Sequence, residues 1–134
     1  MRILLLALFI SIMVLLMSAS MFFYYTTPLS ESTYLTSGKI TENTGGFDIN
    51  TSAITFGSIT IGGSSTRSIW INNSYPFAIK VKPVVKGSIS EKVKYDSIII
   101  KPYEASSFKL TFFANNSSSL GYYNGEISIL LLRA

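Results

Sequence analysis

The sequence predicts an all-β domain of sandwich type behind one N-terminal transmembrane helix. Three observations carry this expectation. No charged residue occurs between Arg2 and Glu31. From Phe47 onward, apolar and polar residues alternate as half-buried strands require. Turn signals recur at roughly the 8–12 residue spacing of a sandwich of about seven to eight strands, and no stretch after Tyr25 has helical periodicity.

The apolar run from Ile3 to Met17 continues through Ser18-Ala19-Ser20 into Met21-Phe22-Phe23-Tyr24-Tyr25. A helix needs roughly 20 mostly apolar residues to cross a bilayer, and residues 1–25 supply them. Two fates are open. Arg2 and the small residues at 18–20 have the makings of a cleavable secretory signal. The apolar stretch runs on past that site, though, and aromatic rings gather at membrane–water interfaces. An uncleaved anchor is therefore the preferred expectation, with a secreted protein as the alternative. Pro28 ends the helix. Arg2 is the only basic residue before Lys39, which places the N-terminus in the cytoplasm and the rest outside. A type IV pilin-like leader would need a Gly after a basic stretch, and none is present.

Residues 26–46 read as a stalk. Thr26 to Thr33 is small and polar, as suits an extended linker, and Thr44-Gly45-Gly46 is a turn or hinge. A short first strand is expected near Lys39 to Asn43. The β domain then occupies 47–134. Its strands are expected at Ala53 to Ile61 (broken by Gly57), Arg67 to Asn72, Phe77 to Val85, Lys92 to Tyr95, Ser97 to Lys101, Ser107 to Phe113 and Tyr122 to Leu132. Gly62-Gly63, Asn72 to Pro76 and Asn115 to Ser119 supply turns between them. Alternation points inward Ile54, Phe56, Ile69, Ile71, Val81, Ile98, Ile100, Phe108, Leu110, Phe112, Ile127, Ile129 and Leu131. Trp70 has the opposite parity from Ile69 and Ile71. It covers a sheet face, marks a contact surface or packs, partly buried, beside a strand edge, and the last is preferred.

Composition narrows the function. There is no Cys and no His, so no disulfide holds the domain together. Thiolate and imidazole chemistry and most zinc sites are excluded as well. Small secreted eukaryotic domains usually carry disulfides, so a prokaryotic surface, bacterial or archaeal, fits better. Without Arg2, ten basic residues stand against seven acidic ones, too mild a balance to imply nucleic acid. The acids are scattered singly, with no spacing for a glycosidase pair or a calcium loop. The chain is not expected to be an enzyme, to hold a cofactor or metal, or to take a small-molecule substrate.

One resemblance emerges. The pattern Phe56-Gly57, then Gly63-x-Ser65-x-Arg67-x-Ile69-x-Ile71-Asn72-Asn73 and Pro76, resembles the opening of Ig-like domains of the ASPM–SPD-2–Hydin and major-sperm-protein type. Ile100-Lys101-Pro102-Tyr103-Glu104 before the Phe108–Phe113 strand, and Gly121-Tyr122-Tyr123-Asn124-Gly125-Glu126-Ile127 after it, are similar to that group's second half. The similarity covers roughly Ser52 to Leu132 and its motifs are structural. It implies an Ig-like antiparallel β-sandwich that binds or scaffolds, with no catalytic residue. It also implies that Asn124-Gly125, a dipeptide suited to a type I′ hairpin, belongs to a bulged final strand.

Two sets of residues are candidate sites. Asn50, Asn72, Asn115 and Asn116 head N-x-S/T glycosylation acceptors near expected turns. Lys80, Lys82, Lys86, Lys92 and Lys94 lie on two successive strands. They are either a patch for an anionic partner or solvated lysines that protect sheet edges from aggregation, and the second is preferred. The expected function is a membrane-anchored surface module whose partner is another surface protein or itself. Alternatives are a filament or lattice subunit assembled by donating the segment from Met21 to Asn50 as a strand, or an accessory of a larger envelope machine. In layout alone, the chain is similar to the anchored β-sandwich proteins beside archaeal motility filaments.

Overall fold

The computed structural model describes residues 1–42 and 53–134. Arg2–Thr26 forms one helix, α1, none of whose residues is buried. It is long and apolar enough to cross a membrane. At a rise of 1.5 Å per residue it measures about 37 Å, against about 30 Å of hydrocarbon. Two of its serine hydroxyls bond back to the helix itself. Ser11 Oγ donates to the Ala7 carbonyl at 2.9 Å and Ser18 Oγ to that of Leu15 at 2.9 Å. At the end, Thr27 donates to the Phe23 carbonyl through both its backbone N–H at 3.0 Å and its hydroxyl at 2.7 Å.

The rest of the described chain is mostly β. Eight strands follow: β1 (Ser30–Thr41), β2 (Ala53–Thr60), β3 (Ser64–Asn72), β4 (Ile79–Gly87), β5 (Val93–Tyr95), β6 (Ile98–Ile100), β7 (Ala105–Phe113) and β8 (Gly121–Arg133). A 3-10 turn, Ser90–Lys92, precedes β5. They make two sheets, one of five strands in the order β2-β1-β8-β4-β6 and one of three in the order β3-β7-β5.

Two expectations are corrected here. The stalk assigned to residues 26–46 is, over Ser30–Thr41, a strand inside the five-stranded sheet. Its polar Ser/Thr start reads as a linker because it faces water. What holds it is backbone pairing along β8, from Ser30↔Leu131 to Ile40↔Gly121. Only Thr27, Pro28 and Leu29 then separate helix from sheet. The expected hinge at 44–46 lies outside the described residues. Second, the pairing is not wholly antiparallel, because β1 and β2 run parallel from Leu35↔Ala53 to Thr41↔Thr60. Asn124 and Gly125 lie within β8, paired to β1 and β4, and form no hairpin.

Inward side chains of both sheets share one core. Phe56 of β2 and Phe112 of β7 bring their rings to 5.5 Å across it. Of the expected inward residues, Phe56, Val81, Ile100, Phe108, Leu110, Phe112, Ile127 and Ile129 are buried, while Ile54, Ile69, Ile71, Ile98 and Leu131 are half-buried against them. Ile40, Ile59, Ile79, Ile89, Val93 and Ala114 are further core members. Ile59 escaped the alternation because Gly57, at φ 72°, sits where the β1–β2 register shifts. One extra residue in a bulge reverses the parity of everything after it. Gly38 lies opposite, and a Cβ there would stand 2.6 Å from the Phe112 ring.

Candidate functional site

A linked set of polar and aromatic side chains lies at the end of the β domain that receives the helix. Strand directions put it there. Ser30 pairs with Leu131, Ile79 with both Arg133 and Ile100, and Asn72 with Ala105. These ends, and the loops that leave them, therefore share one end of the two sheets. Leu29 N–H adds a 2.7 Å bond to the Leu131 carbonyl.

Arg133 joins this end to α1. Its guanidinium lies 4.2 Å from the Tyr24 ring centre and 5.6 Å from that of Phe77, and Nη1 donates to the Tyr24 carbonyl at 3.1 Å. Tyr24 packs edge-on against Tyr25 at 5.3 Å, and Phe77 stacks on Tyr75 at 5.2 Å. The result is a continuous series: Tyr25, Tyr24, Arg133, Phe77, Tyr75. The carbonyl of Tyr24 is free for this bond because the last turn of a helix leaves its carbonyls without intrahelical donors. The buried Nε of Arg133 has no acceptor among the described residues, a cost that the bond and the two ring faces must offset.

Asn73 organises the loops behind that series. It is fully buried. The two hydrogens of its Nδ2 are shared among the carbonyls of Phe77 at 2.9 Å, Ile100 at 3.1 Å and Lys101 at 2.9 Å, while Oδ1 accepts the Tyr75 N–H at 3.0 Å. The Asn73 N–H reaches the Glu104 carbonyl at 2.9 Å. One amide thus ties the 73–77 turn to the β6–β7 loop. No other side chain of that size both donates and accepts in this way.

The loop so held is Lys101-Pro102-Tyr103-Glu104. Glu104 N–H closes it on the Lys101 carbonyl at 3.2 Å. Pro102 pre-sets the first central position, and Tyr103 follows at φ 58°. That combination is a type II turn, whose third position suits glycine. A tyrosine there costs about 1–2 kcal/mol of backbone strain. Tyr103 is nonetheless 71 % exposed.

The two expected sets of site residues are placed as follows. Lys80, Lys82 and Lys86 project outward from β4 in the five-stranded sheet, whereas Lys94 projects outward from β5 in the three-stranded one. The strand lysines are therefore divided between the two sheets, and Lys92 ends the 3-10 turn between them. The chain changes sheets between Gly87 and Val93. Lys92 is tied to a loop, donating to Ser118 Oγ at 3.1 Å, and Lys94 lies 4.5 Å over the Phe113 ring.

Asn72, Asn115 and Asn116 are exposed, and Asn50 lies outside the described residues. Asn115 Oδ1 accepts from Ser117 Oγ at 3.1 Å and from Ser118 Oγ at 2.7 Å. Trp70 is 74 % exposed, not tucked beside an edge, on the same face of β3 as Asn72. Among the described residues no group of three or more acidic side chains comes together that could hold a metal ion.

The class defined by this geometry is a two-sheet β domain carried directly on an apolar helix. Comparison with protein-family models, curated proteins and solved structures finds no match for the chain.

Proposed function

We propose that this chain is a membrane-anchored extracytoplasmic module with an Ig-like sandwich fold, which binds or scaffolds other proteins at a prokaryotic, archaeal cell surface. One observation carries the reading. An apolar helix with no buried residue is joined to a two-sheet β domain by three residues and clamped to it by Arg133. A helix that buries nothing in its own domain has its apolar surface free for lipid. Two sheets sharing one core support the sandwich, and Arg2 ahead of the span supports a cytoplasmic N-terminus. Exposed Asn72, Asn115 and Asn116 are open to glycans, as an extracytoplasmic glycoprotein requires.

Pairing of β1 inside its own sheet, between β2 and β8, favours the tethered module over a filament built by strand donation. The test is the mass and N-terminal sequence of the mature protein from its native membrane fraction. A start at Met1 or Arg2 supports the anchor. A start near Met21 refutes it and favours the released or filament-forming subunit.

A further inference from the structure

We propose that the Lys101–Glu104 turn seats the Tyr103 ring in the headgroup layer of the membrane that α1 spans, so that the domain rests on the lipid surface. This rests on the reading of α1 as a span. Reach is the first argument. The connection Thr27-Pro28-Leu29 covers at most about 10 Å when fully extended, and Leu29 is held to Leu131. The headgroup layer is itself about 5–8 Å deep on each side. Arg133 of β8 also donates to the carbonyl of Tyr24 in the last helical turn at 3.1 Å, so the helix-proximal end of the domain is held beside the helix end, at the depth of that layer or a few ångströms beyond it.

The second argument is the strained tip. Glycine would relieve the φ of 58° at Tyr103, yet the position carries a large ring exposed to the extent of 71 %. Strain retained at an exposed tip points to a role for the side chain. A tyrosine ring, apolar in its body and polar at its hydroxyl, matches the headgroup depth.

The third argument is continuity. Tyr25 and Tyr24, at the interfacial end of α1, lead through Arg133 to Phe77 and Tyr75. Asn73 then links the Phe77 carbonyl to that of Lys101. Ile99, 64 % exposed, borders the same end. Charge adds a mild bias, with Lys80, Lys101 and Arg133 set against Glu31 and Glu104, which suits anionic headgroups.

The test uses the full chain in vesicles of phosphatidylcholine with a minor fraction of phosphatidylglycerol, including lipid spin-labelled on its headgroup. Two single-tryptophan proteins are compared, both carrying Trp70→Phe. One adds Tyr103→Trp and the other Tyr122→Trp. Tyr122 is equally exposed but lies at the far end of β8. The expected result is several-fold stronger quenching at position 103, with a blue-shifted emission. Equal quenching at both positions in a chain that stays embedded overturns the headgroup contact and leaves the anchor standing. Extraction of the chain from vesicles by alkaline carbonate overturns the anchor and this inference together. Because an indole could disturb the turn, Tyr103→Cys and Tyr122→Cys, labelled with an environment-sensitive dye in this cysteine-free chain, repeat the comparison. An emission at 103 as aqueous as at 122 overturns the proposal.

Discussion

Arg133 and Tyr24 stand 109 residues apart in the chain, yet Nη1 of one donates to the carbonyl of the other at 3.1 Å and its guanidinium covers the ring at 4.2 Å. The last strand of the sheet thus grips the last turn of the helix. A short connection limits how far the domain can move from the helix, and this contact limits how it can turn.

Arg133→Ala should loosen that orientation while leaving the β domain folded. The lost ring and carbonyl contacts are worth about 1–2 kcal/mol. Spin labels on Tyr25→Cys and Tyr122→Cys should show a single narrow distance distribution in the parent chain and a broad one in the Arg133→Ala background. Arg133→Lys should be intermediate, because an ammonium lacks the planar fork that stacks and donates at once.

Asn73→Ala should destabilise the domain by roughly 2–4 kcal/mol, since three carbonyls and one N–H lose their buried partner. Asn73→Asp should be nearly as harmful despite its equal size, because a carboxylate cannot donate to the carbonyls of Phe77, Ile100 and Lys101. Chemical unfolding of the detergent-solubilised chain measures both. An Asn73→Asp midpoint equal to that of the parent would show that donation by Nδ2 is not what matters.

Gly38→Ala should cost about 1–3 kcal/mol through overpacking, because the new methyl would sit 2.6 Å from the Phe112 ring. Phe112→Leu alone should cost about as much by leaving space. Combining the two should cost less than their sum, since each relieves the defect of the other. Additive losses in the unfolding midpoints would place the strain elsewhere.

Ser118→Ala should free the loop between β7 and β8. Ser118 Oγ donates to Asn115 Oδ1 and accepts both the Asn115 N–H at 2.9 Å and Lys92 Nζ at 3.1 Å. The expected loss is about 1–2 kcal/mol. Hydrogen exchange should rise at Asn115 to Ser119 and around Lys92 while the strands stay protected. Unchanged exchange in both places would refute this account of the loop.

The match between sequence and structure divides by the range of the forces involved. The helix was legible because hydropathy, length and the Pro28 stop are local, and they predict α1 to within a residue or two. Strands β3, β7 and β8 were legible for the same reason, since alternation of Ile69 and Ile71, or of Phe108, Leu110 and Phe112, is written along a single strand. Most of the core followed from that parity, until Gly57 added one residue and turned Ile59 inward.

What only the tertiary structure decided is everything that depends on a distant partner. Ser30–Thr41 carries too little apolar signal to announce a strand, and it becomes one by pairing with residues 121–131. Lys80, Lys82, Lys86 and Lys94 look clustered along the chain and are divided between two sheets. Asn73 reads as a turn residue until carbonyls from two loops converge on its amide, and Tyr103 reads as a loop residue until the turn forces its φ positive at the end nearest the helix. The sequence by itself determined the apolar helix, most of the strands and their inward faces, because hydropathy and burial periodicity are local. The tertiary structure decided strand order, the fate of the expected stalk and the helix-proximal end, because backbone pairing and amide–carbonyl bonds join residues that no window of sequence contains together.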